Sequence, residues 1–206
     1  TCGAACAQSN VTIYGNVDMG VMYRQGNNGA VGNDHSQYDM QSGASQSHIG
    51  FKGVEDLGNG LKALFDLQYR INPDTNTGLA SAGHQYVGLT GGFGTVVAGY
   101  LDGIRYGIYG KYGPFGNNSI ASLTSMTTQY DRAANAIAYI SPSFSGFTVI
   151  LATATNTQGP EGTLNDAHSL ATRKPGGGNT GDDRLLSANL IYANGPLSID
   201  LDYETT

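Results

Sequence analysis

Strict alternation of apolar and polar residues in one segment constrains the fold of this chain more than any other feature. In residues 61–70 every second side chain is apolar: Ala63, Phe65, Leu67 and Tyr69. The residues between them are mostly polar: Lys62, Leu64, Asp66, Gln68 and Arg70. A period of two is typical of a strand with one apolar face and one wet face. Residues 47–54 are the partner strand, because segment 55–60 carries the Asn-Gly signal of a hairpin.

The same pattern recurs along the chain and predicts about nine strands. The predicted strands are residues 11–23, 47–54, 61–70, 86–90, 95–101, 135–140, 147–154, 185–192 and 197–203. Long polar segments at 24–46, 71–83, 102–132 and 157–183 alternate with short turns at 55–60, 91–94, 144–146 and 194–196. Such an alternation puts all short turns at one end of the sheet and all long loops at the other. This arrangement favours an all-β, antiparallel transmembrane β-barrel, and a soluble β-sandwich is the alternative.

Composition and charge narrow the class of protein. Charged residues make up 13% of the chain, against roughly 25% in ordinary soluble domains. The sequence has no apolar run of the length that a transmembrane helix needs, whereas a barrel strand needs only about ten residues. The net charge of −6 argues against nucleic acid as a partner.

The first seven residues are interpreted as the remnant of a signal peptide. Ala5-Cys6-Ala7 has the small-x-small form of a secretory cleavage site. A lipidated Cys6, or a disordered terminus of another origin, is the alternative. Because Cys2 and Cys6 lie so close together, a disulfide framework is not expected. Residues 8–206 are then expected to form the N-terminal part of a single barrel domain whose C-terminal strands are missing.

Four segments resemble, in order, the signatures of Gram-negative general porins of the trimeric proteobacterial type. They read NVTIYG at 10–15, SHIGFKGVEDLG at 47–58, YVGLTGGFGTV at 86–96 and YISPSFSGF at 139–147. The resemblance covers nearly all of residues 8–206. It implies a sixteen-stranded barrel and a homotrimer in the lipid of the bacterial outer membrane. It also implies a water-filled channel for passive diffusion of ions and small hydrophilic solutes, narrowed by a third long loop that folds inward.

The resemblance also implies which residues line the channel. In such porins basic wall residues face acidic or carbonyl groups of the inner loop. Arg132 stands where the family often has an arginine, His48 takes the place of a common arginine, and near His84 another usual arginine is missing. The expected pore-lining or constriction residues are Lys52, Lys62, Arg70, Arg132, His48, Asp18, Asp66, Pro114 and Phe115. Pro114 and Phe115 belong to the Gly-Pro-Phe-Gly sequence that would form the loop tip.

No pattern predicts catalysis, a cofactor or a metal. The four histidines lack the spacing of metal ligands, and the Gly-Gly-Phe-Gly sequence at 91–94 precedes no helix that could bind phosphate. Two other classes are kept open: a soluble β-rich binding or adhesion module, and an outer-membrane barrel enzyme. The enzyme would need serine, histidine and a carboxylate converging on one layer of strands, and the sequence shows no such layer.

Overall fold

The computed structural model describes residues 10–24, 37–42, 45–75, 78–114, 131–155 and 184–205. Within these ranges it contains eleven strands and one helix. The strands are β1 (Asn10–Asn16), β2 (Met19–Arg24), β3 (Gln37–Ser42), β4 (His48–Gly58), β5 (Leu61–Ile71), β6 (Leu79–Gly91), β7 (Gly94–Asp102), β8 (Arg132–Ile140), β9 (Phe147–Ala154), β10 (Leu185–Asn194) and β11 (Leu197–Thr205). The helix is α1 (Ile104–Tyr112), between β7 and β8.

Nine of the strands form one antiparallel sheet in the order β1-β4-β5-β6-β7-β8-β9-β10-β11. Apart from the step from β1 to β4, sheet neighbours are also neighbours in sequence, so the sheet is a simple meander. The predicted hairpin of β4 and β5 is confirmed, with Lys52 directly opposite Asp66. Asn59 and Gly60 form its turn, and both have positive φ, 53° and 78°, which these residue types tolerate best.

The two faces of the sheet have opposite chemistry, and the apolar face is the exposed one. In β11 Leu201 and Tyr203 are 64% and 65% exposed, whereas the acidic residues between and beside them are half-buried. Strand pairing extends this face across the sheet, because directly opposed residues point to the same side. One such apolar row is Val11, Gly53, Phe65, Val87, Ala98 and Ile137. The apolar face is therefore the more exposed of the two, and the polar side chains of the other face are partly buried.

The prediction of one strand over residues 11–23 is wrong, because the backbone leaves the large sheet after Asn16. Asp18 lies in the break. Its backbone N–H donates to Ser47 Oγ at 2.9 Å, and its Oδ2 accepts from the backbone N–H of Ser45 at 2.8 Å. These side-chain hydrogen bonds replace the ladder that a continuous strand would make. Beyond the break, β2 pairs with β3 in a separate two-stranded sheet. β3 lies inside segment 24–46, which was predicted to be loop.

The start of β6 and the presence of a helix also differ from the sequence-based expectation. β6 begins at Leu79, so part of the predicted loop 71–83 is strand. Helix α1 lies in the segment predicted to contain only loop, and it has no side-chain N-cap. Its two glycines, Gly107 and Gly110, lower its helix propensity, which explains why no helical pattern marks it. Among the described residues there is no helix with the length and hydrophobicity to cross a bilayer.

Candidate functional site

A chain of polar side chains crosses the polar face of the sheet from β1 to β8. Tyr14 on β1 donates its hydroxyl hydrogen to Asp66 Oδ1 on β5 at 2.5 Å. His84 on β6 places Nε2 3.4 Å from the same carboxylate oxygen, and its Nδ1 lies 2.9 Å from Asp102 Oδ2 on β7. Arg132 Nε, at the start of β8, lies 2.7 Å from the other oxygen of Asp102. Five strands thus contribute to one cluster, which we call the Asp66–Arg132 cluster.

Local backbone features make this cluster sterically feasible. A Cβ on Gly50 would lie 2.2 Å from Tyr14 Cζ, so only glycine lets the tyrosine ring cross β4 on its way to Asp66. The pairing of β5 with β6 shifts register between Leu67 and Tyr69. This bulge places Gly83 and His84 against Gln68, and bulges of this kind re-aim side chains. As a result the His84 ring reaches both neighbouring carboxylates.

Helix α1 lies on the polar face and is tied to β11 at both of its ends. Arg105 donates from Nε and from Nη2 to Glu204 Oε1, at 3.1 and 2.6 Å. Lys111 Nζ donates to Asp200 Oδ2 at 2.9 Å, and Tyr112 donates its hydroxyl to the same oxygen. The hydrogen bond to Asp200 raises the pKa of Lys111. The link is therefore intact below the ordinary lysine pKa of about 10.4 and is lost as the pH rises through the raised value.

An apolar strip lies beneath α1 on the otherwise polar face. Its buried members come from β7, β8, β9 and β10: Val97, Leu101, Ala133, Ala136, Ala138, Ala154 and Leu185. A cavity of about 500 Å³ is bounded by this strip and by Ile104 and Ile108 of the helix. The strip gives the helix an apolar surface to pack on, while its charged side chains reach past the strip to β11.

The structure brings several of the predicted pore-lining residues together on this face. Strand register puts His48 opposite Arg70 and Lys52 opposite Asp66, and the Lys52 ammonium lies 5.2 Å from the centre of the Tyr14 ring. Arg132 joins Asp66 only through Asp102 and His84. Lys62 lies apart from the others, opposite Asp56 near the turn.

The remaining predicted residues lie elsewhere in the chain. Asp18 lies in the break after β1, and Pro114 is exposed just beyond the end of α1. Phe115 lies outside the described residues.

Sequence reasoning missed the residues that connect these groups. Tyr14, His84, Arg105 and Lys111 were not expected to line the channel. The signal for Tyr14 was present, since it shares the polar face with Thr12 in the alternation of β1. Arg105 and Lys111 carried no such signal, because their roles depend on a helix that the sequence did not predict.

The cluster does not suit a resident metal. Within the described ranges no group of three or more histidine, cysteine or acidic side chains has the geometry to hold a metal ion. The arrangement is a charged wall that faces an anchored helix.

Comparison with known proteins agrees with this description. A model of the Gram-negative porin family matches residues 1–206. Outer membrane porin protein 32 of Delftia acidovorans is 34% identical over 97% of this chain and 55% of its own length. An outer membrane porin protein of Bordetella pertussis is 30% identical over 98% of this chain and 55% of its own length.

A solved structure gives the same result. The anion-selective porin from Comamonas acidovorans superimposes with a TM-score of 0.74 at 29% identity, over 96% of this chain and 57% of its own. This chain therefore spans little more than half the length of the relatives that it matches. The family match covers every residue, and the fold agrees with that of a solved porin. The chain belongs to the Gram-negative porin family.

Proposed function

We propose that this chain is part of an outer-membrane porin whose water-filled channel lets ions and small hydrophilic solutes diffuse passively. The polar face, with the Asp66–Arg132 cluster, lines the channel, and the exposed apolar face contacts lipid. Residues 8–206 contribute the N-terminal part of a single sixteen-stranded barrel. The family and the named relatives point to a channel rather than to an enzyme.

The position of α1 is the observation that carries this proposal. A helix held on the polar face by Arg105 and Lys111 occupies space that the channel would otherwise have. In this proposal the segment between β7 and β8 narrows the pore, and Lys52, Lys62, Arg70, His48, Asp18 and Asp66 line the passage together with Arg132, Pro114 and Phe115. Charged side chains at a constriction govern which ions pass.

The exposed face argues against the alternative of a soluble binding module. Exposed large apolar side chains occur on most strands of the sheet, from β1 to β11, and soluble monomers rarely expose a contiguous apolar surface of this extent. In a bilayer the same surface is favourable. We also propose that the full-length protein is a homotrimer, on the resemblance given above, and chemical cross-linking in detergent tests this.

Removing the inner segment tests the proposed channel. The backbone N–H of Gly103 donates to the carbonyl of Asp131 at 2.9 Å, so the two ends of residues 104–130 already meet. In the full-length protein, deletion of these residues should leave the sheet intact and raise the single-channel conductance in planar bilayers.

The deletion has a matched control and a clear negative outcome. Replacing residues 104–130 by an equally long Gly-Ser segment keeps the length but removes the anchors on β11, and it should give noisy currents of variable size. Unchanged conductance after the deletion would show that this segment does not narrow the pore. Absence of any channel in the unaltered full-length protein would overturn the proposed function itself.

A further inference from the structure

His84 occupies the centre of the Asp66–Arg132 cluster, and both of its ring nitrogens face hydrogen-bond acceptors. Nδ1 lies 2.9 Å from Asp102 Oδ2. Nε2 lies 3.2 Å from the Tyr14 hydroxyl oxygen and 3.4 Å from Asp66 Oδ1. Tyr14 gives its only hydroxyl hydrogen to Asp66, so its oxygen is left to accept at Nε2.

This arrangement suits the doubly protonated form of the ring. A neutral imidazole donates from one nitrogen and presents a lone pair at the other, whereas the imidazolium donates from both. In a neutral His84, one of the two ring nitrogens would present its lone pair to acceptor oxygens. The His84 side chain is 17% exposed and that of Asp66 is 15% exposed, so the groups are sheltered yet still reached by water.

The charge of the cluster then depends on one proton. Asp66 and Asp102 carry two negative charges, and Arg132 carries one positive charge. With His84 protonated the four groups sum to zero, and with His84 neutral they sum to −1.

Among the described residues, few other groups surround the ring. Tyr86 lies beside it on β6, with ring centres 5.5 Å apart. Lys52 faces Asp66 from β4, and Tyr106 of α1 lies over Arg132 with the guanidinium 5.1 Å from the ring centre. Of all these side chains, histidine is the one whose ordinary pKa lies between pH 5 and 8.

We propose that His84 is a specificity-determining residue whose protonation sets the ion preference of the pore. This inference rests on the proposed channel function. At low pH the positive charge of the protonated ring offsets the excess carboxylate charge, which shifts the ion preference toward anions. As the pH rises and the proton leaves, the wall gains one net negative charge and the preference moves toward cations. A unit charge about 6 Å from a passing ion in water changes the local concentration of that ion roughly threefold.

The test measures reversal potentials of the full-length protein in planar bilayers under a salt gradient. Between about pH 6 and about pH 9, Asp, Lys and Arg side chains of ordinary pKa keep their charges. Over this range the cation concentration at the wall should rise and the anion concentration should fall, each about threefold, so the cation-to-anion permeability ratio of the unaltered protein should rise by about ninefold. All variants are measured in a His48→Gln background, because His48 is a second histidine on this face, with its ring centre 5.9 Å from that of Tyr14. There His84→Gln, which is always neutral, should show the cation-shifted value at both pH values. His84→Arg, which is always positive, should show the anion-shifted value at both.

Two results would overturn the proposal. The first is a His84→Gln variant that keeps the pH-dependent shift of the unaltered protein, since another group would then cause it. The second comes from nitrogen NMR of histidine-labelled full-length protein in detergent, with the His84 signals assigned by their loss in His84→Gln. If the ring does not change protonation state between the two pH values, the proposed control by a proton is wrong. The NMR result stands even if no current is observed, an outcome that would refute the channel function separately.

Discussion

Tyr14 reaches Asp66 because Gly50, the residue between them on β4, has no side chain. A single missing methyl group therefore decides whether β1 is joined to the Asp66–Arg132 cluster. The alternation of β1 predicts the face on which Tyr14 lies, but the contact across two strands depends on the register. Similarly, His84 appeared in the sequence only as a departure from an expected arginine. Its role follows from the bulge opposite Gln68, which a period of two does not predict.

We expect Gly50→Ala to destabilise the full-length protein by about 1–3 kcal/mol, the usual cost of inserting a methyl group into packed surroundings. The added Cβ would displace the Tyr14 ring and break its hydrogen bond to Asp66. Gly92→Ala is the matched control, because a Cβ there meets no atom within 4 Å, and we expect a change within about 0.5 kcal/mol. Denaturant unfolding in detergent measures both, and equal midpoints for the two variants would contradict the steric argument.

Among the secondary-structure elements, the strands were predictable and the helix was not. The alternation that predicted β5 and β11 arises because each strand separates two environments along its whole length. Helix α1 has no such pattern, since it packs lightly on an apolar strip and is positioned by Arg105 and Lys111. These two cations have partners on β11, almost a hundred residues later in the chain, so no local signal marks them. On β7 to β10 the apolar strip weakens the alternation in the sequence, because both faces of those strands are partly apolar there.

The two anchors of α1 should differ in strength. Lys111→Gln leaves Asp200 with the hydroxyl of Tyr112, and the lysine is nearly half exposed, so we expect a loss of about 0.2–1 kcal/mol. The Glu204 and Asp200 side chains are both 4% exposed, but Arg105→Gln removes both guanidinium bonds from Glu204. Leaving that buried carboxylate without them should cost about 1–3 kcal/mol.

Unfolding of the two full-length variants in guanidinium measures the difference between the anchors. Arg105→Lys, which keeps the charge but loses the paired donors, should fall between the unaltered protein and Arg105→Gln. A larger loss for Lys111→Gln than for Arg105→Gln would show that the Tyr112 hydroxyl does not compensate for the lost lysine at Asp200.

The sheet as a whole exposes its large apolar side chains, which is the reverse of a soluble domain. Among the described residues, its buried apolar side chains are few and mostly alanine, whereas many of its large aliphatic side chains are exposed. This property could be predicted, because low charge content, short turns at one end and alternating strands all follow from a sheet between lipid and water. The break after β1 could not, because it depends on hydrogen bonds between Asp18 and residues 45 and 47.

Substitutions at two neighbouring residues of β1 test whether each face of the sheet contacts lipid or water. Ile13 is 66% exposed on the apolar face, and Ile13→Arg would place a charge in hydrocarbon at a cost of about 2–4 kcal/mol near the bilayer midplane. Thr12 lies on the polar face opposite Lys52, where Thr12→Arg would remain in water. The yield of full-length protein folded into lipid vesicles should drop for Ile13→Arg alone. Similar yields for both variants would contradict the assignment of the faces.

Gly103 and Asp131 are joined by a backbone hydrogen bond. This bond bears on how such proteins diversify. Because Gly103 and Asp131 meet, we expect that the segment between them can be exchanged without changing the register of β7 and β8. In the proposed channel, recombination within this segment would alter the width of the pore, provided that the new sequence keeps two cations in reach of Asp200 and Glu204. Grafts between relatives at these two boundary residues offer a direct route to channels of chosen width.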